Sequence, residues 1–246
     1  PFHAAFGLGD KAYISAGVRK YNTAPNVTRY EVQLHSLNPA TGVQEQKQPV
    51  PMYYPYSNSN VSLTAFTVGE HAYLGGGNYT IGGYSDRAYR KEFYKYSPTS
   101  DTWTQIADFP GTSTTDAVTF EVDGIAYLVA PSYDYIVLPE VWAYNSKTNT
   151  WSRKRDFPGQ LKYGMAAFSI GSAGYLVGGA TGTSSYAPPG LRDFWKYNPQ
   201  TDTWQEVANF DNSNKGIKCF VIGGKAYAVL HQSQNSSSVW EFTPAL

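Results

Sequence analysis

Cysteine, histidine and methionine are scarce in this chain, which has 1 Cys, 4 His and 2 Met in 246 residues. A single thiol, Cys219, excludes an internal disulfide, and its place in the run Lys-Cys-Phe-Val predicts a small buried side chain. No apolar run reaches the about 18 residues that a membrane-spanning helix needs. The sequence therefore predicts neither a disulfide scaffold nor membrane insertion.

Excess charge of either sign is also missing, since 19 Lys and Arg balance 19 Asp and Glu. Such a chain lacks the excess of positive charge that is typical of proteins that bind nucleic acid or an anionic membrane. The four histidines, His3, His35, His71 and His231, lie far apart at non-equivalent places, so no metal site is predicted. Neither a Gly-x-Ser-x-Gly elbow nor a phosphate-binding loop occurs. We therefore expect no cofactor.

What the chain does contain is a repeat. Five times a phenylalanine is followed seven residues later by a tyrosine, in the pattern Phe-x-(Leu/Val/Ile) and then a short turn. The five pairs are Phe6 and Tyr13, Phe66 and Tyr73, Phe120 and Tyr127, Phe168 and Tyr175, and Phe220 and Tyr227. The tyrosines are 60, 54, 48 and 52 residues apart. Such a period indicates a repeat architecture.

Each repeat predicts four short strands in up-and-down order. The first two flank the turn and form a hairpin. A third run ends at an Asn/Ser/Pro turn, and a fourth carries a tryptophan at Trp103, Trp151 or Trp204 within the triplets Asp101-Thr-Trp, Asn149-Thr-Trp and Asp202-Thr-Trp. We interpret the Asp and Asn of these triplets as turn formers rather than Ca²⁺ ligands, and the tryptophans as residues that pack between blades.

These repeats resemble the kelch family. The similarity rests on the period, on the glycine doublets Gly76-Gly77 and Gly178-Gly179 after the second strand, and on the tryptophan beyond the turn. It implies an all-β β-propeller with five four-stranded blades, or six if one is supplied from outside this chain. It implies no copper site, because the histidines of kelch-like copper oxidases are not matched. Glycine at the doublets is expected to let backbones approach closely.

The chain is predicted to be one propeller domain, residues 1–246. Its repeats span residues 1–57, 58–110, 111–160, 161–209 and 210–246, and the last lacks its outer strand. We expect upstream residues to complete that blade, as kelch propellers commonly close. The short turns should lie on one face of the propeller. The long connections should lie on the opposite face, and they span residues 18–31, 51–61, 78–92, 132–140 and 180–193.

Loops on a rigid scaffold are where binding function concentrates, and Tyr and Arg are typical of binding hot spots. The long connections hold the predicted ligand-binding residues: Tyr79, Tyr84, Asp86, Arg87, Tyr89, Arg90, Tyr133, Asp134, Tyr135, Tyr186 and Arg192. Aromatic rings stack on sugars, and Asp and Arg bond hydroxyl groups. No catalytic residue is predicted.

The sequence thus favours a non-catalytic module that binds a glycan or a protein, as part of a larger secreted or cell-surface assembly. A bacterial outer-membrane or periplasmic location also fits the Tyr, Asn and Ser content. Two alternatives stay open. One is a structural subunit of a surface complex. The other is a mutarotase similar to the sialic acid mutarotases among kelch propellers, in which Arg87, Arg90 or Arg192 would bind a carboxylate beside Glu92 or Asp193.

Overall fold

The computed structural model describes residues 2–24, 27–54, 62–80, 87–129, 132–133, 136–160, 163–180, 193–207, 217–233 and 236–243. Within these ranges the chain forms strands and turns and no helix. It follows that the described part holds no helix able to cross a membrane. The predicted all-β class is confirmed.

Five antiparallel sheets follow one another along the chain, each with sequential strands paired side by side. Sheet 1 consists of β1 (Phe2–Leu8), β2 (Lys11–Ala24), β3 (Val27–Leu37) and β4 (Gln44–Tyr54). Sheet 2 consists of β5 (Ser62–Val68), β6 (His71–Thr80), β8 (Phe93–Ser97) and β9 (Thr102–Gln105), and the short β7 (Arg87–Tyr89) also pairs with β6.

The later sheets are similar but shorter. Sheet 3 consists of β10 (Val118–Val122), β11 (Ile125–Val129), β14 (Val141–Asn145) and β15 (Thr150–Lys154), with a small hairpin of β12 (Ser132–Tyr133) and β13 (Ile136–Val137). Sheet 4 consists of β16 (Ala166–Ile170), β17 (Ala173–Val177), β18 (Phe194–Asn198) and β19 (Thr203–Val207). Sheet 5 has three strands in the described part: β20 (Ile217–Ile222), β21 (Lys225–Ser233) and β22 (Ser236–Phe242).

The chain forms two compact units. The first contains Pro1–Thr115 together with Ser146–Trp151, and its core joins sheets 1 and 2 through Leu34, Met52 and Leu74. The second contains Asp116–Asn145 and Ser152–Leu246, with one core between sheets 3 and 4 and another between sheets 4 and 5. Burial of these apolar side chains is the main force that holds neighbouring sheets together.

The repeated phenylalanine and tyrosine lie directly opposite each other on the first two strands of every sheet. Their rings stack with centroids 5.0 to 5.5 Å apart. We call the face that carries this stack the front face. In sheets 1 to 4 an aromatic residue of the following repeat covers it: Tyr96 on Tyr13, Trp151 on Phe66, Tyr197 on Tyr127 and Phe242 on Tyr175.

A second link between sheets uses the predicted turn triplets. The Asp or Asn of the triplet accepts a hydrogen bond from one backbone N–H of the preceding sheet, and the tryptophan indole donates to the C=O of that same residue. We call this pair of bonds the Asx–Trp clamp. Among the described residues it occurs three times. Asp101 and Trp103 bond Gln48 (3.1 and 3.0 Å), Asn149 and Trp151 bond Ala107 (2.9 and 3.0 Å), and Asp202 and Trp204 bond Arg155 (3.0 and 3.3 Å).

The clamp depends on an unusual backbone shape. Asp101, Asn149 and Asp202 each have φ of 52°, in the left-handed region that Asn and Asp tolerate better than other side chains. In two repeats a buried tyrosine orients the carboxylate, because Tyr96 donates to Asp101 at 2.7 Å and Tyr197 donates to Asp202 at 2.6 Å. The triplets are therefore turn formers and also acceptors for the neighbouring sheet.

One predicted loop is largely strand. Residues 18–31 were expected to form a long connection, but β2 and β3 pair from Val18 opposite Val32 to Ala24 opposite Val27. The segment is rich in Val, Tyr and Thr, which favour the extended conformation. A bulge between Ser15 and Val18 lets the pairing continue past the expected end of the hairpin. The prediction of a loop at this place is wrong.

The glycine doublet of sheet 2 allows a close approach of neighbouring segments. Gly76 and Gly77 have φ of 57° and 73°, and a Cβ on Gly77 would lie 1.5 Å from the carbonyl oxygen of Ser62. Gly178 and Gly179 have φ of 70° and 93°. Any side chain at Gly77 would therefore collide with the backbone of Ser62, which could move away only by disrupting the strand pairing.

The clamp predicts a large effect of Trp151→Ala. The Trp151 ring contacts Phe66, Phe93 and Phe109 with centroids 5.2 to 6.1 Å away, so its removal leaves a cavity between sheets. We expect a loss of about 3–5 kcal/mol in the free energy of unfolding, measured by urea titration. Trp151→Phe, which keeps a ring but not the N–H, should lose only about 1 kcal/mol. A Trp151→Ala variant as stable as the parent would show that the ring does not hold the sheets.

Buried tyrosines predict loss of stability in alkali. Burial raises the pKa of Tyr13, Tyr73, Tyr96, Tyr175 and Tyr197 above the ordinary 10.0. Burial, with Asp202 and Asp123 nearby, raises the pKa of Tyr127 to about 12. The folded state thus favours the neutral phenols. Their contribution to the free energy of unfolding is fully present below pH 10 and should be lost as the pH rises towards about 12.

Urea midpoints at about pH 8.5 and 11.5 test this expectation, because the buried phenols ionise more readily in the unfolded chain than in the folded one over this range. Tyr127→Phe is the matched variant, since it removes one titrating phenol and should lose less stability over this range than the parent. Equal pH dependence of the two proteins would contradict the assignment for Tyr127.

Candidate functional site

Arg90 is the centre of the predicted ligand-binding residues that the structure describes. It follows β7, whose Ala88 lies opposite Tyr79 of β6. Its backbone N–H donates to the C=O of Gly77 at 3.0 Å, and its guanidinium lies 5.0 Å from the centre of the Tyr79 ring. The β6–β7 hairpin therefore fixes both residues.

The Arg90 guanidinium also joins sheet 2 to sheet 1. It donates to the backbone C=O of Tyr53 at 2.5 Å and to the Glu92 carboxylate at 3.3 Å. We call Tyr53, Tyr79, Arg90 and Glu92 the Arg90 cluster. Arg90 is half-buried, and this ion pair holds its planar group in one orientation. Burial, reinforced by Glu92, raises the pKa of Tyr94, which therefore stays neutral beside the cluster.

A buried polar segment supports the same end of sheet 2. The backbone N–H of Gly77 donates to the Thr114 hydroxyl at 2.6 Å. The Thr64 hydroxyl donates to the backbone C=O of Thr114 at 2.5 Å. Thr115 accepts the Asn78 side-chain N–H at 3.1 Å. Sequence reasoning missed these residues, because a Ser-Thr-Thr run outside the long connections has no distinctive signal.

A groove of about 640 Å³ opens beside this cluster, between β4 and β9. Its apolar lining consists of Pro49, Pro51, Tyr53 and Trp103, and its polar lining of Gln48, Ser100, Asp101 and Thr102. Tyr53 is exposed over 39% of its surface. We call this the Trp103 groove. It places two aromatic rings next to hydroxyl, amide and carboxylate groups.

The residue two positions after the clamped residue differs in sheet 1. Phe109 and Phe157 hold this place in the other two repeats, and their rings pack on Trp151 and Trp204 with centroids 5.2 Å apart in both cases. In sheet 1 the residue is Val50, which is fully buried in the core of the first unit. Trp103 stacks on Tyr96 at 4.8 Å and lines the groove, and it is half-buried like Trp151 and Trp204.

Another depression, of about 480 Å³, lies among the short turns of sheets 1 and 2 and includes Lys11 and Lys47. Glu45 pairs with Lys47 at 2.6 Å and with Lys11 at 3.4 Å. Because Glu45 pairs with both ammonium groups, and Asp10 and Glu70 also line the depression, this depression is a poorer candidate for a ligand than the Trp103 groove.

The predicted ligand-binding residues are only partly described. Tyr79, Tyr89 and Arg90 are half-buried and lie on or directly after the β6–β7 hairpin. For Arg87 and Tyr133 the structure describes the backbone strand alone. Tyr84, Asp86, Asp134, Tyr135, Tyr186 and Arg192 lie outside the described residues. The structure therefore brings Tyr79 and Arg90 together and adds Tyr53 and Glu92 to them.

Asp193, an acid–base candidate of the mutarotase alternative, has a structural contact instead. Its carboxylate accepts the Trp195 indole N–H at 2.9 Å, and Glu140 accepts that of Trp142 at 2.8 Å in the preceding repeat. The repeated arrangement is typical of a structural role. Among the described residues, no three His, Cys, Asp or Glu side chains are placed to hold a metal ion.

Comparisons with known proteins agree with this geometry. A family model described as "Kelch motif" matches residues 79–110 and 163–210. The chain is similar to the solved structure titled "Structure of YjhT", with a TM-score of 0.71 and 12% identity, over 97% of this chain and 80% of that chain. At this identity the similarity shows the fold alone. No curated protein matches the chain.

Proposed function

We propose that this chain, which is built from five antiparallel sheets and resembles kelch proteins, acts as a non-catalytic binding module whose ligand is a glycan held in the Trp103 groove. The observation that carries the proposal is the half-buried Trp103 ring that lines this groove together with the exposed Tyr53. Rigid aromatic rings offer a large contact area at low entropic cost. Sugar rings stack on such surfaces through their apolar C–H faces.

The polar lining supports the same ligand class. Gln48, Ser100 and Thr102 offer amide and hydroxyl groups, which match sugar hydroxyls, and no Lys or Arg is among the described residues that line the groove. An acidic polymer such as a nucleic acid would meet only the Asp101 carboxylate there. Arg90, bonded to the Tyr53 carbonyl, fixes the backbone that carries one of the two aromatic rings. The ligand we infer is therefore a neutral oligosaccharide.

We also propose that the protein belongs to a secreted or cell-surface assembly, as its amino-acid composition led us to expect. A protein partner and a mutarotase remain the competing functions. A protein partner would use the same aromatic surface. A mutarotase would need an acid–base pair, and of the candidates named for it, Glu92 already pairs with Arg90 and Asp193 already bonds Trp195.

A glycan array followed by calorimetric titration with the strongest ligand tests the proposal. We expect Tyr53→Ala to weaken binding about tenfold or more, which corresponds to about 1.4 kcal/mol. Its melting temperature should change little, because the ring is exposed. Glu70→Ala, in the exposed turn of the β5–β6 hairpin, is the control and should bind like the parent.

Thr102→Trp is the sharper variant. Thr102 is exposed and lines the groove, so the larger ring should occupy the groove and abolish binding in a folded protein. Glycan binding that survives in both variants would place the site elsewhere. Binding to a protein but to no glycan, or catalysed exchange of sugar anomers seen by NMR, would contradict the proposed function.

A further inference from the structure

Asp101 is the one charged side chain among the described residues that line the Trp103 groove. The other polar lining comes from Gln48, Ser100 and Thr102, whose amide and hydroxyl groups both donate and accept hydrogen bonds. A carboxylate, by contrast, only accepts them. The groove therefore has one position that bonds only to a donor, and that position can discriminate between ligands.

In the described part of the chain, the Asx–Trp clamp uses one of the two carboxylate oxygens of Asp101. Its Oδ1 accepts both the backbone N–H of Gln48 at 3.1 Å and the hydroxyl of Tyr96 at 2.7 Å, and no described residue donates to Oδ2. The clamp on Arg155 differs, because that N–H lies 3.0 and 3.2 Å from the two oxygens of Asp202. Asp101 therefore keeps one oxygen available to a bound molecule.

The clamp itself does not require a carboxylate. Asn149 holds the corresponding place in sheet 3 with the same φ of 52°, and its side-chain oxygen accepts the Ala107 N–H at 2.9 Å. An amide oxygen therefore satisfies the backbone of the preceding sheet as a carboxylate oxygen does. The second oxygen and the negative charge of Asp101 are thus not needed to join sheets 1 and 2, and both can serve the groove.

Within the described ranges, no cation forms an ion pair with Asp101. Lys47 lies near enough to be influenced by the Asp101 charge, but its ammonium group pairs with Glu45 at 2.6 Å. A hydrogen bond to a charged acceptor is roughly twice as strong as one between neutral groups. Asp101 is half-buried, so its charge faces a bound molecule, where it favours a donor and repels another carboxylate.

We propose that Asp101 is the specificity-determining residue of the Trp103 groove. Its Oδ2 accepts a hydrogen bond from a free hydroxyl of a sugar unit whose ring stacks on Trp103. The inference rests on the proposed glycan ligand, and it narrows that class to neutral oligosaccharides with unmodified hydroxyl groups. Uronic acids are rejected because their carboxylates meet the Asp101 charge, and a site that bonds a hydroxyl also rejects analogues that lack it.

Asp101→Asn tests the inference, because Asn149 shows that an amide completes the clamp. Two probes are titrated by calorimetry: the neutral oligosaccharide that binds the parent most strongly on a glycan array, and the same oligosaccharide with its primary hydroxyls oxidised to carboxylates. We expect the variant to bind the neutral probe about tenfold more weakly than the parent does. The preference for the neutral over the oxidised probe should also fall about tenfold. The urea midpoint should stay close to that of the parent.

Asp202→Asn is the matched control. It makes the same change in the clamp between sheets 3 and 4, whose residues do not line the groove, so it should bind both probes like the parent.

The possible failures can be told apart. Unchanged affinity and preference in Asp101→Asn, with Tyr53→Ala still weakening binding, overturns this inference and leaves the proposed function standing. An equal loss for both probes, or an equal loss in Asp202→Asn, also overturns it, because the effect then comes from the fold. A parent protein that binds no neutral glycan overturns the proposed function, and this inference with it.

Discussion

One pair of hydrogen bonds joins neighbouring sheets. A side-chain oxygen and an indole N–H bind the two backbone polar groups of a single residue on, or just after, the last strand of the preceding sheet. Most of these bonds are exposed, so each contributes on the order of 0.5–1.5 kcal/mol. The Asx–Trp clamp therefore ends one sheet and fixes the next in the same step. The stacked Phe and Tyr rings then supply the buried area between them.

The candidate site lies next to one of these clamps. Gln48, Asp101 and Trp103 form the clamp between sheets 1 and 2, and all three also line the Trp103 groove. Arg90 donates to the Tyr53 carbonyl and so joins the same two sheets. The groove that we propose as the ligand site is therefore held in shape by the contacts that join these sheets, and binding residues are typically carried by such a scaffold.

Much of this fold could be predicted from the sequence, because the Phe and Tyr of each repeat lie opposite each other in all five sheets and their spacing is visible in the residues. The clamp could not be predicted, because its partners on Gln48, Ala107 and Arg155 are backbone groups and those residues share no side-chain type. The loop expected at residues 18–31 failed because a bulge after Ser15 shifts the register and extends the hairpin. The groove could not be predicted either, because Pro49 and Pro51 of β4 and Trp103 of β9 come together only once the strands are aligned in space.

Hydrogen exchange at the amide of Arg155 tests the clamp most directly. Within the part of the chain that the structure describes, that N–H donates to the Asp202 carboxylate, at 3.0 and 3.2 Å from its two oxygens. Asp202→Gly keeps the backbone shape at φ of 52° but removes the acceptor. If the clamp holds sheets 3 and 4 together, this variant should lose the protection of the Arg155 amide and about 1–2 kcal/mol of unfolding free energy. Unchanged protection of that amide in a folded Asp202→Gly protein would contradict the account.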